Sequence, residues 1–457
     1  MSLWTASDAA AATGGGAPGD WAATGVSIDT RTIRPGELFV ALTAARDGHD
    51  FVAQALEAGA AAALVSRVPD GVPEGKCLLV NDVQDGLEAL GRAGRARAKA
   101  RVIAITGSVG KTSTKEMARH ALAAQGHVHA AIKSFNNHWG VPLTLAGLPP
   151  DADYAVVEIG MNHPGEIAPL ARQAAPDVAL VTTVAPVHLE AFADGIEGIA
   201  REKAAIFEGL RPGGIGLYNA DLEVSDILAA RGTTPFGRTA PDWALREVHA
   251  GADTVTCAAD TPEGPLAFRI GAPGAHFAMN ALGVLAACHV AGADLARAAM
   301  AMVDWAPPEG RGQRHSVRLG PDAAPVDLID DAYNANPASV GAALDLLAAA
   351  PVPRRARRIA VLGDMKELGP TGPDLHAALA GHDAMDALDA VHCVGPLMRA
   401  LHDALPADRR GHWTETSQDM ARHLRDMARP GDAILVKGSL SMDMARLVAG
   451  LRELGEG

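Results

Sequence analysis

The sequence predicts an α/β protein built from three domains. Its 457 residues exceed the length of one ordinary domain, since most domains contain about 100–200 residues. Two long stretches alternate short apolar segments with segments of helical periodicity, which is typical of βαβ units and a mostly parallel sheet. We therefore expect an N-terminal domain in residues 1–99, a central domain in residues 100–308 and a C-terminal domain in residues 309–457.

The N-terminal domain contains four short apolar segments that we interpret as strands, with the sequences GVSIDTR, ELFVAL, AAALVS and CLLVND. Between the second and third segments, residues 47–60 carry Phe51, Val52 and Ala55 at helical spacing. This pattern predicts a small α/β domain. Residues 87–101 are basic and predict a helix that leads out of the domain, with its charged face in solvent.

The central domain opens with the apolar segment RVIAITG and then alternates helices and strands as far as IGLYNA. We expect helices from Lys111, Pro164 and Gly198, on a mostly parallel sheet with right-handed crossovers. Residues 243–272 lose this alternation and predict short antiparallel strands, and a helix from Phe277 to about Ala291 follows them.

The C-terminal domain follows the Pro-rich segment WAPPEG at residues 305–310, which we interpret as a linker. The apolar segments VDLIDDAY, RRIAVLGDM, DAVHCVG and DAILVKGS then alternate with helices expected from Ser339, Asp374 and Asp419. A second βαβ series of this kind predicts a Rossmann-like domain.

Composition and charge exclude several classes of protein. The formal net charge of −14 and the 4% of aromatic residues disfavour a nucleic-acid-binding protein, which needs basic patches and stacking platforms. We find no run of about 18 apolar residues and no signal-peptide pattern, so we expect a cytoplasmic protein without integral membrane association. The four cysteines are far apart, and we expect them to be buried thiols in a reducing compartment.

A glycine-rich turn follows the first strand of the central domain and predicts a nucleotide-phosphate site. The turn has the sequence Thr106, Gly107, Ser108, Val109, Gly110, Lys111, Thr112 and Ser113. Backbone N–H groups of such a turn and the start of the following helix bind phosphate, Lys111 adds a positive charge, and the Thr112 hydroxyl suits Mg²⁺. The loop is shorter than the common eight-residue pattern, because Ile105 stands where the first glycine is expected.

Two potential metal ligands follow neighbouring strands of the predicted sheet. Glu158 ends the strand YAVVE, and His188 follows the strand VALVTTV. Ligand sites of parallel sheets lie at the carboxyl ends of the strands, so both side chains are candidates for binding Mg²⁺ beside the phosphate loop. Spacing alone marks Lys203, farther along, only as an exposed helical lysine.

The order of these motifs resembles the Mur ligases. The motifs are TGSVGKTSTKE, FNNHWGVPLTL, VVEIGMNHPGEI, VHLE, REKAAIF, HFAMNALGVLAA, EGRGQR, DDAYNANPAS, LGDMKELG and LVKGS, and they span nearly the whole chain. The resemblance implies a UDP-substrate domain, a central ATP-binding domain and a C-terminal amino-ligand domain. It also implies an ADP-forming ligase of peptidoglycan synthesis that joins D-alanyl-D-alanine to UDP-N-acetylmuramoyl-tripeptide through an acyl phosphate, acting as a monomer.

The resemblance further assigns roles to single residues. It implies that Lys111, His188, Lys203 and Arg311 act in catalysis, with ATP and two Mg²⁺ ions as cofactors and Lys203 carbamylated. Metal binding is implied for Thr112, Glu158, His188 and Lys203. Nucleotide binding is implied for the phosphate loop, Asn280, Arg311, Asp331, Tyr333, Asn334 and Asn336. Substrate binding is implied for Ser27, Thr30, Arg31, Asn136, Asn137 and Lys437.

Two other functions stay open at this point. The chain could be a Mur-type ligase with another amino ligand, because specificity resides in the outer domains. It could also be a phosphate-loop ATPase that switches without ligation, although we find no separate motor signature of an apolar strand ending in DD or DE, and two further α/β domains flank the phosphate loop. His138, Trp139 and Leu440 depart from the residues that the family often has at these positions.

Overall fold

Parallel sheets lie at the centre of all three parts of the chain, and the predicted α/β class is confirmed. The computed structural model describes residues 2–229 and 233–455. Within these residues the sheets have two, four, six, three and six strands. The predicted boundaries near residues 99 and 308 stay predictions; they fall in connecting segments before the first strand of the central sheet and the first strand of the C-terminal sheet.

The N-terminal part contains a four-stranded parallel sheet in the order β3-β4-β5-β6 and an antiparallel pair β1-β2. The strands are β1 (Trp4–Thr5), β2 (Ala22–Ala23), β3 (Gly25–Ser27), β4 (Glu37–Val40), β5 (Ala62–Val65) and β6 (Cys77–Leu79). The helices are α1 (Ala6–Thr13), α2 (Val52–Glu57) and α3 (Val83–Arg97).

The central part contains a six-stranded parallel sheet in the order β12-β11-β10-β7-β9-β8 and an antiparallel sheet β13-β14-β15. The strands are β7 (Arg101–Thr106), β8 (Val128–Ala130), β9 (Tyr154–Glu158), β10 (Val178–Val181), β11 (Ile215–Asn219), β12 (Thr234–Phe236), β13 (Ala244–Ala250), β14 (Val255–Thr261) and β15 (Gly264–Ile270). The helices are α4 (Lys111–Ala123), α5 (Gly140–Ala146), α6 (Ile167–Ala174), α7 (Gly195–Ala204), α8 (Ser225–Ala229), α9 (His276–Val290) and α10 (Leu295–Ala301). Two predicted helix starts, Pro164 and Gly198, are each wrong by three residues.

The C-terminal part contains a six-stranded sheet in the order β16-β17-β21-β18-β19-β20, in which only β16 is antiparallel to its neighbour. The strands are β16 (Gln313–Val317), β17 (Val326–Asp331), β18 (Arg358–Gly363), β19 (Ala390–Val394), β20 (Arg410–Thr414) and β21 (Ala433–Lys437). The helices are α11 (Pro337–Ala348), α12 (Gly372–Ala378), α13 (Met398–Ala404), α14 (Ser417–Met420), α15 (Leu424–Met427) and α16 (Ala445–Glu453). The single helix expected from Asp419 is wrong, since a 3₁₀ turn separates α14 from α15.

The central sheet is buried on both faces. Along β7, Ile103 and Ile105 join one apolar cluster, whereas Val102 and Ala104 join the cluster on the opposite face. Successive strand residues point to opposite faces, so a strand covered on both sides must be apolar throughout. All four cysteines are free and buried, as predicted. No helix of the described residues has the length and apolar character that crossing a bilayer requires.

Helix α3 corrects the interpretation of the basic segment. Arg95 is only 6% exposed, and its guanidinium donates hydrogen bonds to the carbonyl oxygens of Ala174 (2.9 Å) and Ala175 (2.8 Å). A carboxylate oxygen of Asp177 lies 3.3 Å from the same guanidinium. Burial lowers the pKa of Arg95. The prediction that the charged face of this helix lies in solvent is therefore wrong at Arg95, which makes a buried contact with the central domain.

Candidate functional site

A cavity of about 590 Å³ lies between the central sheet and the C-terminal domain. The carboxyl ends of β7, β9 and β10 open toward it from one side, and residues that follow β17 and end β21 line the other. This is the place where α/β sheets bind ligands. Predicted residues that line the cavity are Ser108, Val109, Gly110, Lys111, Thr112, Ser113, Asn136, Glu158, Asn280, Arg311, Asp331, Tyr333, Asn334, Asn336 and Lys437.

The glycine-rich turn connects β7 to α4 with the backbone geometry of an anion site. Gly110 has φ of 82°, a left-handed conformation that favours glycine. A Cβ atom on Gly107 would lie 2.0 Å from the Thr182 hydroxyl oxygen, so this position admits no side chain. Among the residues that the structure describes, no side chain caps the start of α4, which leaves its N-terminal amides free to bind phosphate.

Lys111 folds back over this turn. Its ammonium donates a hydrogen bond to the carbonyl oxygen of Gly107 at 2.7 Å. Burial lowers the pKa of Lys111, the negative charge of Glu158 raises it, and the positive charge of Arg311 lowers it further. The lysine thus lies between the phosphate loop, a candidate metal ligand and an arginine of the C-terminal domain.

A chain of hydrogen bonds connects Arg311 to Glu158 across the cavity. The Arg311 guanidinium donates to the Ser134 hydroxyl (3.0 Å), and the Thr112 hydroxyl donates to Glu158 (2.9 Å). The oxygens of Ser134 and Thr112 are 2.7 Å apart. Arginine can only donate and a carboxylate can only accept, so the Ser134 hydroxyl must donate to Thr112. The second oxygen of Glu158 accepts a hydrogen bond from Asn136 at 2.8 Å.

Lys203 is 1% exposed, so its interpretation as an exposed helical lysine is wrong. The sequence around it shows no strong periodicity, and tertiary packing of α7 decides its burial. Burial lowers the pKa of Lys203 well below its ordinary value, and the positive charge of Lys111 lowers it further. Burial therefore favours the neutral amine, which is the form that can react with CO₂.

His188 lies outside the lining of the cavity. Its backbone is left-handed, with φ of 56°, and its Nδ1 atom lies 2.5 Å from a carboxylate oxygen of Glu367 in the C-terminal domain. The described residues contain no cluster of three or more His, Cys, Asp or Glu side chains arranged for a metal ion. A metal site here therefore depends on other oxygens, and the Thr112 hydroxyl beside the Glu158 carboxylate provides the kind that Mg²⁺ prefers.

Lys437 connects the residues that line the cavity on the side of the C-terminal domain. Its ammonium lies 2.7 Å from the Asp331 carboxylate and donates to the Asn334 carbonyl oxygen at 2.9 Å. Burial raises the pKa of Asp331, and Lys437 opposes this shift. The Arg311 guanidinium lies over the Tyr333 ring, 4.1 Å from its centre. The Asn336 side chain caps α11 by accepting a hydrogen bond from the Ser339 amide.

The remaining predicted residues lie away from the cavity lining. Ser27, Thr30 and Arg31 belong to the N-terminal domain, where the Arg31 guanidinium is largely exposed and pairs with Asp29 at 2.7 Å. Asn137 accepts a hydrogen bond from the Gly140 amide at the start of α5. Thr106 is fully buried in β7. Arg31 and Asn137 thus have structural partners, whereas the buried Thr106 hydroxyl has no hydrogen-bond partner among the described residues.

Sequence reasoning missed several residues that line the cavity, among them Ser134, His276 and Phe277. The His276 and Phe277 rings are 4.0 Å apart, and burial lowers the pKa of His276 to about 4. An aromatic pair at a helix start beside Asn280 offers a surface for a flat ring. Ser134 lies in an irregular loop and gives no periodic signal that could have identified it.

Comparison with known proteins places the chain among the Mur ligases. The family models that match are described as "Mur ligase family, catalytic domain" for residues 22–98 and "Mur ligase middle domain" for residues 105–288. A third, "Mur ligase, glutamate ligase domain", matches residues 314–440. Together they cover each of the three parts of the chain.

Curated relatives and solved structures extend this similarity to the whole length. The UDP-N-acetylmuramoyl-tripeptide--D-alanyl-D-alanine ligase of Escherichia coli (strain K12) is 36% identical over 441 residues, 94% of each chain. The enzyme of that name from Bacillus subtilis (strain 168) is 34% identical over 94% of this chain and 93% of its own. A crystal structure of MurF from Acinetobacter baumannii has a TM-score of 0.85 and 28% identity, covering 98% and 99% of the two chains. MurF ligase from Thermotoga maritima, in complex with ADP, has the same fold, with a TM-score of 0.76 and 24% identity over 94% and 98%.

Proposed function

Since the chain belongs to the Mur ligase family, we propose that it is an ATP-dependent amide ligase of peptidoglycan precursor synthesis. Its substrates are UDP-N-acetylmuramoyl-tripeptide and D-alanyl-D-alanine, as in the names of the relatives that match nearly its whole length. The observation that carries the proposal is the hydrogen-bond chain from Arg311 to Glu158, which joins two domains across the cavity beside the phosphate loop. We expect the protein to act in the cytoplasm, as a monomer.

When bound, magnesium-loaded ATP supplies the phosphoryl group that converts the tripeptide carboxylate into an acyl phosphate, with ADP released, before the dipeptide amine displaces phosphate. The chain must therefore bring an anionic carboxylate close to an anionic phosphate. The free amides at the start of α4, the Lys111 ammonium and the Arg311 guanidinium all place positive charge at this point. Their contribution is positioning and electrostatic stabilisation.

The chain also offers ligands for Mg²⁺. The Thr112 hydroxyl and the Glu158 carboxylate would hold one ion beside the phosphate loop. His188 and a carbamylated Lys203 would hold a second, because CO₂ adds to a neutral amine and converts it into a carboxylate-like group. The depressed pKa of Lys203 supports this modification. Asn280, next to Gly110, would contact the nucleotide base together with His276 and Phe277.

We place the dipeptide at the carboxyl ends of β18 and β21. These two strands are neighbours in the C-terminal sheet, and α/β folds bind ligands at the carboxyl ends of their strands. Lys366, paired with Asp364 at 2.8 Å, follows β18, and the Ser439 hydroxyl, which accepts a hydrogen bond from the Lys366 amide, follows β21. A cationic side chain and a hydroxyl suit a dipeptide carboxylate.

Phosphate release tests the ligase function. We expect release only when the UDP-tripeptide, the dipeptide and ATP are all present, with mass spectrometry showing the UDP-pentapeptide as product. The Lys111→Ala variant should lose at least about 10²-fold in activity while keeping the wild-type melting temperature. Release without the dipeptide would support an ATPase switch. Product formation from single amino acids would support another Mur-type ligase.

Chemical rescue tests the modified lysine. Lys203→Ala should be inactive and should regain activity when small carboxylates such as acetate are added. Arg201→Ala, on the exposed side of the same helix, is the matched control and should behave like the wild type. A fully active Lys203→Ala enzyme would contradict carbamylation.

A further inference from the structure

Lys115 lies one helical turn after Lys111 on α4 and is completely buried. Its ammonium donates hydrogen bonds to the carbonyl oxygens of Ala131 and Lys133 and pairs with the Glu116 carboxylate at 2.8 Å. A lysine ammonium has three N–H donors, and here each has an acceptor. Fully buried lysines are rare, and removing the donor would leave the buried Ala131 carbonyl oxygen and the partly buried Lys133 carbonyl oxygen without it.

The two carbonyl oxygens belong to the irregular segment 131–136, which carries Ser134 and Asn136 into the cavity. Lys115 holds the start of this segment. Its other end is held by the Gly160 amide, which donates to the Asn136 carbonyl oxygen at 2.7 Å. Ser134 comes directly after Lys133, so the ammonium fixes the backbone that places the Ser134 hydroxyl between Thr112 and Arg311.

We propose that Lys115 is a positioning residue of the nucleotide site, which acts by holding segment 131–136 so that Ser134 links Thr112 to Arg311. This inference rests on the proposed nucleotide-dependent function and adds a residue that touches neither nucleotide nor substrate. Lys115 thereby connects the phosphate-loop helix to the arginine that arrives from the C-terminal domain.

A double-mutant cycle tests the proposal. Lys115→Met and Ser134→Ala should each weaken magnesium-dependent binding of a non-hydrolysable ATP analogue about tenfold, measured by calorimetry. If Lys115 acts through Ser134, the double variant should bind no more weakly than Lys115→Met. The KM for the dipeptide should change less than about twofold in all three variants, because neither Lys115 nor Ser134 contacts the site proposed for the dipeptide at the carboxyl ends of β18 and β21. Additive losses, or a Lys115→Met protein that binds like the wild type, would overturn the proposal.

Ile132 provides a second route that leaves Lys115 in place. Ile132 is 85% exposed and stands in the chain between Ala131 and Lys133, whose carbonyl oxygens Lys115 binds. Ile132→Gly should loosen the segment and weaken analogue binding about threefold, because glycine has greater backbone freedom. Ile132→Ala is the matched control and should bind like the wild type. Equal binding by both variants would count against the role of the segment, even if Lys115→Met failed to fold.

The binding measurement separates this proposal from the proposed reaction. A wild-type protein that binds the analogue with this dependence on Lys115 but makes no amide would refute the ligase function alone. A wild-type protein that makes the amide, while Lys115→Met binds the analogue normally and melts at the wild-type temperature, would refute the positioning role alone.

Discussion

The two domain interfaces of this chain differ in kind. The interface between the N-terminal and central domains is packed like a protein core. Helix α3 crosses α5 at Gly91 and Gly94, so closely that a Cβ on Gly94 would lie 2.2 Å from the Leu145 carbonyl oxygen. The Trp4 indole donates to the Ala146 carbonyl oxygen at 2.8 Å, and the Arg97 guanidinium lies 3.7 Å from the centre of the Trp4 ring.

The interface between the central and C-terminal domains is polar and surrounds a cavity. Its contacts include Arg311 with Ser134 and His188 with Glu367. Near the linker, Arg314 of β16 donates to the Ala252 carbonyl oxygen in the β13–β14 turn. Polar contacts of this kind are exchanged with water at little cost, whereas apolar packing is not.

This difference indicates which domain moves. The N-terminal and central domains form one packed body, and the C-terminal domain joins it through exchangeable contacts and the linker at residues 305–310. Arg311 belongs to the segment that follows this linker and contacts the phosphate-loop side only when the domains are close. We therefore expect the C-terminal domain to close over bound substrates, which would protect a hydrolysable acyl phosphate from water.

The largest effect is expected from breaking the packed interface. Gly94→Val should lower the free energy of unfolding by more than about 3 kcal/mol, because a branched side chain cannot fit against the Leu145 backbone. Thermal and urea unfolding measure the loss. Ala96→Val, on the exposed side of α3, is the control and should cost less than about 1 kcal/mol. Equal losses in the two variants would show that α3 and α5 are not tightly packed.

Acid should weaken the C-terminal domain selectively. His392 is buried in β19, where burial and the positive charges of His412, Arg357, His423 and His402 lower its pKa to about 3. Its ring stacks on His412, which stacks on His423. An unfolded histidine has a pKa near ~6.5, so between these values the unfolded chain binds the proton that the folded chain excludes. The contribution of neutral His392 to the free energy of unfolding is therefore complete above about pH 6.5 and decreases as the pH falls toward 3.

Urea unfolding at pH 7 and pH 5 tests this dependence. From pH 7 to pH 5 the free energy of unfolding of the wild type should fall by about 2 kcal/mol more than that of a His392→Asn variant. Asparagine keeps an acceptor for the His412 amide, which now donates to His392 at 2.9 Å. His249→Asn, at an exposed position on β13, should retain the full pH dependence of the wild type. A His392→Asn protein with that same dependence would refute the assignment.

Sequence patterns predicted the features that depend on residues close together in the sequence. They missed the features that depend on contacts between residues far apart in the sequence. The phosphate loop and β7 are encoded by consecutive residues, so glycine spacing and apolar runs were sufficient to find them. Burial of Arg95 and Lys203 depends on how α3 and α7 pack against other elements, which their own sequences do not record. The bond from Arg311 to Ser134 joins residues 177 positions apart, and no local signal marks the serine.

The smallest effect on stability is expected at the polar interface. Glu367 is left-handed, with φ of 65°, and its carboxylate meets His188 at 2.5 Å while remaining 53% exposed. A polar contact this accessible contributes about 0–1 kcal/mol, so Glu367→Gln should leave the melting temperature nearly unchanged. The contact nevertheless crosses between two domains, and weakening it should let the C-terminal domain move away. Small-angle scattering without ligand should then give a larger radius of gyration than the wild type, and saturating substrate and ATP analogue should restore the wild-type value.

Glu415→Gln removes an exposed carboxylate from the same domain and should change neither the melting temperature nor the radius of gyration. Two results would contradict the distinction between a packed and an exchangeable interface. One is a Glu367→Gln protein with a melting temperature as low as that of Gly94→Val, and the other is a Glu367→Gln protein with the wild-type radius of gyration without ligand.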